Sequence, residues 1–213
     1  MTTKPRAGRQ RYHLDGREVV GTTTVCNVIS KGDALVRWAN QQGLLGIDIS
    51  KSRVTNVGGL VHAMVAAHLM GEQVDTDDFT KAEIDAAENS VLSFLEWAKR
   101  REIEVIRSEE PLVCEHLPYG GTADLYARVD GRLEVLDWKS GGLYAEHNFQ
   151  IAAYRHLLED AGFTVDACRL LSLPRTPDES FTEKVIEDTT RYWQVFKTAH
   201  SLYIALREAK NHG

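Results

Sequence analysis

A chain of 213 residues, 43% hydrophobic and 26% charged, can bury one substantial core and lacks the bias of a disordered, collagenous or disulfide-stapled protein. Three scattered cysteines, Cys26, Cys114 and Cys168, form no disulfide framework, and no apolar run is long enough for a membrane span or a signal core, so a single domain over 1–213 in a reducing cytoplasm is expected. A formal charge of −6 argues against a general grip on polyanions; residues 1–11 contribute +4 through Lys4, Arg6, Arg9 and Arg11, so the remainder carries −10.

In chain order, 1–10 read as a flexible basic tail and 11–20 as a small hairpin around Asp15-Gly16. Helices are expected over 33–43 and 54–70, the second almost wholly apolar and closed by Gly71. A third runs over 81–101, with Thr80 and Glu83 at capping-box spacing. Strands follow at 103–107 and 109–115. Two runs of strand formers, 122–129 and 132–139, flank the tight-turn pair Asp130-Gly131 and predict an antiparallel hairpin. A helix over 145–160 stops at Gly162. A strand over 165–173 ends at Pro174, an edge strand spans 181–186, and an amphipathic helix over 188–210 turns Tyr192, Phe196, Ala199, Tyr203 and Leu206 to its apolar side. The sum is an α/β fold, a mixed central sheet flanked by helices with a helical N-terminal embellishment.

The chemistry concentrates in that central hairpin. Asp124 begins its first strand and Asp137 ends its second, so the two carboxylates converge. Lys139 lies two residues on and shares the face of Asp137, while Trp138 points the other way, toward a core, and leaves its backbone carbonyl beside the acids. Two carboxylates, a carbonyl and water suit a hard cation, Mg²⁺ or Mn²⁺, which activates water for attack on a phosphodiester. The lysine can orient that water, help deprotonate it or hold the developing charge. Two acids buried together without a cation would be costly.

The order Gly121-Thr-Ala-Asp124, Asp137-Trp-Lys139 and Gln150-Ile-Ala-Ala-Tyr154 resembles the RecB-type, phage-exonuclease-like branch of the PD-(D/E)XK nuclease superfamily. The resemblance covers about 55–160. It implies a restriction-endonuclease-like fold in which Asp124 and Asp137 bind metal, Lys139 assists catalysis, and Gln150 and Tyr154 lie alongside the site on one helix face. It also implies that His62, in Gly58-Gly59-Leu60-Val61-His62, is a metal ligand, the alternative being a satisfied core histidine. Glu109, in Glu109-Glu110-Pro111-Leu112, fits the position of a further family acid, the alternative being surface charge. Some relatives hold an iron–sulfur cluster on four cysteines; three widely spaced cysteines exclude one within this chain. There is no Gly-rich phosphate loop, so no use of ATP is expected.

Lys51 and Arg53, ahead of the His62 helix, are candidate phosphate contacts, and Trp38, Tyr119 and Tyr144 are candidate base-stacking aromatics. The reading is a metal-dependent deoxyribonuclease, an exonuclease acting on single strands or ends of duplexes, with a recombination or single-strand-binding partner or self-association as further expectations. A non-catalytic DNA-binding subunit of the same fold and a phosphoesterase for nucleotides are the alternatives.

Overall fold

Five helices and two mixed sheets account for most of the described chain. The computed structural model describes residues 2–3, 10–30 and 54–211. The expected helix at 33–43, Trp38, Lys51, Arg53 and most of the basic N-terminal stretch lie outside these residues. Of the segment expected as a free tail, Thr2–Thr3 (β1) instead pairs in parallel with Gln73–Val74 (β4), which gives both edges hydrogen-bonding partners.

The central sheet has five strands. Ile103–Ser108 (β5) pairs with Leu125–Val129 (β8), which forms the expected hairpin with Arg132–Ser140 (β9) across Asp130-Gly131, both residues at positive φ. Ala167–Leu173 (β10) runs parallel to β9, and Thr182–Ile186 (β11) closes the edge. Parallel pairing needs a crossover, supplied by the helix Ala145–Asp160.

A second, four-stranded sheet departs from the expectation of one. Tyr12–Leu14 (β2) and Arg17–Gly21 (β3) form the predicted N-terminal hairpin, β3 pairs in parallel with Tyr119–Thr122 (β7), and β7 pairs with Pro111–Cys114 (β6). The run expected as a continuous strand over 122–129 is therefore divided. Its first residue belongs to one sheet, Leu125–Val129 to the other, and Ala123 and Asp124 cross between them.

In chain order the helices are α1 (Thr22–Ser30), α2 (Val54–Met70), α3 (Lys81–Ala98), α4 (Ala145–Asp160) and α5 (Thr190–Asn211). Alternation along β9 sends Leu136 and Trp138 into a core with Leu60, Val65 and Phe94 of α2 and α3. It sends Val135 into a second core with Ile151, Leu157 and Phe196 of α4 and α5. The caps follow the sequence. Thr80 and Glu83 exchange capping bonds at the start of α3. Gly71, at φ +67, closes α2: its N–H donates to His68 O at 3.2 Å and Glu72 N–H to Ala67 O at 2.8 Å. In α5, which packs on α1 and α4, Phe196 and Ala199 are buried as predicted, but Leu206 is exposed, at the edge of an open groove between α5 and α1.

Gly121 fixes how closely α4 approaches the sheet crossover. A Cβ there would fall 2.6 Å from Thr22 Oγ1 and 2.8 Å from both Leu157 Cδ1 and Tyr154 Cε1. Gly121→Ala should therefore cost roughly 1–3 kcal/mol by overpacking. Gly59→Ala, in α2 with nothing within 4 Å of the added carbon, should instead stabilise by about 0.5–1 kcal/mol. Urea unfolding midpoints of the two variants check the contrast.

Candidate active site

Asp124 lies where the chain leaves one sheet for the other, outside either ladder, and its carboxylate is free to serve other partners. Oδ2 accepts the Trp138 backbone N–H at 2.7 Å, and Oδ1 lies 2.9 Å from His62 Nδ1. The first bond ties the crossover to β9; the second ties it to α2, which packs on the opposite layer from α4. The Trp138 ring, fully buried, stands on the α2–α3 side, with its centroid 5.9 Å from His62 and 5.4 Å from Phe94.

Glu109 arrives by a different device. Strand β5 ends at Ser108, and Glu109 takes φ +53, a left-handed conformation that costs a side-chain-bearing residue about 1 kcal/mol or more. Its N–H donates to the Asp124 carbonyl at 3.2 Å. The expected continuous strand over 109–115 is thus interrupted at its first residue, strand alternation does not set the direction of Glu109, and Oε1 lies 3.7 Å from His62 Nδ1. Glu110, by contrast, pairs with Arg107 on the surface.

Asp137 and Lys139 share the face of β9 toward α4. Lys139 Nζ sits 2.6 Å from Asp137 Oδ2, an ion pair set off the hydrogen-bond direction, and Oδ2 has no hydrogen-bond partner among the described residues. Burial drives the Asp137 pKa up to about 6, against the pull of Lys139 and with the help of Asp124. Burial also works against the Lys139 ammonium, but Asp137 and Asp124 outweigh it and hold its pKa above the usual lysine value. The same contest lifts His62: burial lowers its pKa, and Asp124 and Glu109 override burial and raise it to about 10.

Gln150 and Tyr154 lie on one face of α4, as the four-residue spacing predicts, and Gln150 Nε2 donates to Tyr154 Oη at 2.7 Å. Both are buried, so they back the crossover from within rather than presenting a surface to solvent. Tyr119 is fully buried, with its hydroxyl donating to Ala153 O, and is not a base-stacking surface; Tyr144 is 63% exposed. One neighbour had no sequence signal. His147 accepts the Tyr144 N–H on Nδ1 at 3.0 Å, and burial, with Lys139 nearby, lowers its pKa to about 4, so it is neutral beside the lysine. Tyrosine is not a usual helix-capping residue, so the pairing could not be anticipated.

His62, Glu109 and Asp124 each offer a ligand atom within 4.8 Å of the others. That donor set, one imidazole and two carboxylates, fits a divalent cation and not a soft, thiolate-seeking metal; Asp137 stands outside it, held by Lys139. The three cysteines are buried and free, and burial pushes Cys26 and Cys168 up to about 12. Among the described residues no helix is long and apolar enough to cross a membrane.

No protein-family model matches the sequence, and no curated protein matches it. The structure is similar to that of a candidate exonuclease from Eubacterium rectale, with a TM-score of 0.51 at 15% identity over 80% of this chain and 73% of that one. It also matches an alkaline exonuclease from Laribacter hongkongensis, with a TM-score of 0.48 at 13% identity over 90% of this chain and 89% of that one. At such identities the likeness speaks for the fold alone, and of the two only the first is close enough to carry that argument. The fold is a mixed α/β architecture of the restriction-endonuclease-like kind.

Proposed function

We propose that this chain is a divalent-metal-dependent deoxyribonuclease of the PD-(D/E)XK, RecB-like type that trims DNA ends or single strands. The observation that carries the reading is the cluster of His62, Glu109 and buried Asp124, with the Asp137–Lys139 ion pair close enough for Asp124 and His62 to act on Asp137 electrostatically. Carboxylates are seldom buried close together, and here two buried ones come from an inter-sheet crossover and a strand, with a half-buried third on a left-handed turn, which points to a purpose beyond packing.

His62, Glu109, Asp124 and Asp137 would hold Mg²⁺ or Mn²⁺, with the Trp138 carbonyl as a further oxygen donor. When bound, the cation supplies Lewis-acid polarisation of the phosphoryl group and a more acidic water. The chain does the rest. Asp137 holds the Lys139 ammonium in place, and Lys139 orients the attacking water and stabilises charge on the phosphoryl oxygens. The Trp138 amide fixes the Asp124 carboxylate. Water adds its oxygen to phosphorus, the ester bond to the leaving sugar oxygen breaks, and that oxygen takes up a proton. Gln150 and Tyr154 support the crossover from below, and Lys51 and Arg53 are proposed phosphate contacts.

End-labelled linear single- and double-stranded DNA, beside a closed circle, with Mg²⁺, Mn²⁺ or EDTA, tests the activity. Metal-dependent shortening that spares the circle is expected. Lys139→Ala should lower turnover about 10²–10⁴-fold with the fold and Mn²⁺ binding retained; full activity in that variant would sink the mechanism. Asp124→Asn and Asp137→Asn should weaken Mn²⁺ binding in calorimetry and stop turnover, whereas His62→Ala should be milder and shift the metal preference away from Mn²⁺.

Metal binding should also be linked to protons. The raised pKa of His62 stabilises the metal-free fold fully below about 6.5, and that contribution is lost as pH rises through about 10. A ligating imidazole must be neutral, so at pH 7.5 Mn²⁺ displaces a proton from His62 and its affinity climbs with pH. Titrations in buffers of different ionisation enthalpy should show that release in the wild type and its loss in His62→Ala. Equal release in both would remove His62 from the ligand set.

A further inference from the structure

Beside the acid cluster the chain leaves an open cleft of about 470 Å³, within the roughly 300–1,000 Å³ typical of small-molecule sites. Ala63, Ala66, Ala67 and Met70 of α2 form one wall, and His62, Glu109 and Asp124 form its inner end. The helical spacing explains the shape. Gly59, Ala63, Ala66 and Met70 fall on one side of α2, the same side that delivers His62 to Asp124, and the small Gly59, Ala63 and Ala66 leave the volume open. Met70, at the rim, is 58% exposed.

The charges on the lining decide what fits. Glu72 and Glu109 contribute carboxylates, and among the described lining residues only His62 can carry positive charge. Among the described lining residues there is no arginine or lysine to meet a backbone phosphate. The parts of a polynucleotide that suit an apolar wall with an acidic rim are a base and its sugar. Methionine beside an aromatic ring adds a favourable contact of its own. A base paired and stacked in a duplex cannot enter unless it leaves the helix, which is easiest at a single-stranded or frayed end.

We propose that this cleft receives the unpaired terminal nucleoside of a DNA strand, its base against Ala63, Ala66 and Met70, so that the adjoining phosphodiester lies at the His62–Glu109–Asp124 cluster. This deepens the deoxyribonuclease reading and rests on it. The cleft would select ends over interior positions and tolerate any base, because its wall has no directional donors or acceptors. The hydrolytic step is unchanged.

The test uses the full chain with Mn²⁺ and Lys139→Ala to prevent cleavage. Single-stranded oligonucleotides carry 2-aminopurine, a base whose fluorescence is quenched by stacking, at the 5′ end, at the 3′ end or at an interior position. Binding should raise the emission of one terminal probe roughly twofold or more as the base leaves the stack, and the responding end gives the polarity. Adding Ala66→Phe, which fills the cleft, should abolish the rise while leaving Mn²⁺ affinity and thermal unfolding unchanged. Ala63→Leu serves as a second filling variant should the first not fold. A rise that survives both substitutions, a response only from the interior probe, or no response overturns the proposal. Wild-type cleavage of the same oligonucleotides is scored separately. Cleavage with no terminal response removes the cleft and keeps the nuclease, whereas a terminal response lost on filling, with no cleavage under any metal, keeps the cleft as a strand-end binding site and removes the nuclease.

Discussion

The Asp124 carboxylate is the point at which separate parts of the chain are fastened together. One oxygen holds the Trp138 amide of β9, the other holds His62 of α2, and the carbonyl of the same residue accepts the Glu109 N–H. The residue itself lies at the crossover between two sheets. A buried amide with no acceptor costs about 1–3 kcal/mol, so the Trp138 bond is a structural obligation as well as a means of aiming the acid. The site and the fold are therefore fixed by the same interaction: the carboxylate cannot move without disturbing β9, and α2 cannot shift without withdrawing His62.

That arrangement concentrates like charge. Among the described residues, Lys139 pairs with Asp137 and His62 with Asp124 and Glu109, and the pKa pattern shows how the metal-free protein tolerates the charge. Burial raises Asp137 toward a neutral acid, and the carboxylates keep His62 protonated. The proton on His62 stands where a divalent cation would contribute the same balance with a better match to oxygen ligands. The proton on His62 and a metal at His62 are mutually exclusive, so one group reports which state the site is in.

Much of this was legible in the sequence, for identifiable reasons. Asp130-Gly131 dictates a tight hairpin, and a hairpin dictates that Asp124 and Asp137 meet. The period of two places Lys139 with Asp137 and Trp138 in the opposite core. Thr80 and Glu83 announce the start of α3, and Gly71 and Gly162 the ends of α2 and α4. Other features were not legible. Residues 122–129 read as one strand because a chain that changes sheets keeps extended dihedrals; the pairing of Tyr119–Thr122 in one sheet and Leu125–Val129 in the other reveals the switch. The left-handed Glu109 breaks alternation, and non-glycine residues give no warning of such a conformation. Tyr119 reads as an amphipathic aromatic and turns out fully buried, since its hydroxyl finds a backbone carbonyl inside the core. Leu206 obeys the helical period but stands beside an open groove between α5 and α1.

The formal charge of −6 fits a nuclease better once the site is divided by chemistry. A protein that neutralises many phosphates loses affinity steeply as salt rises, and it needs a basic face to do so. An acidic protein that takes a strand end by its base and sugar, and presents one phosphodiester to a metal held by its own carboxylates, needs few such contacts. On the proposed reading, its excess of acids is in part the ligand set, which a bound cation would offset. Steering of DNA toward the site then falls to local groups such as Lys139 and the basic residues of the N-terminal stretch rather than to the field of the whole molecule, and this ties recognition to an end instead of to the length of the polymer.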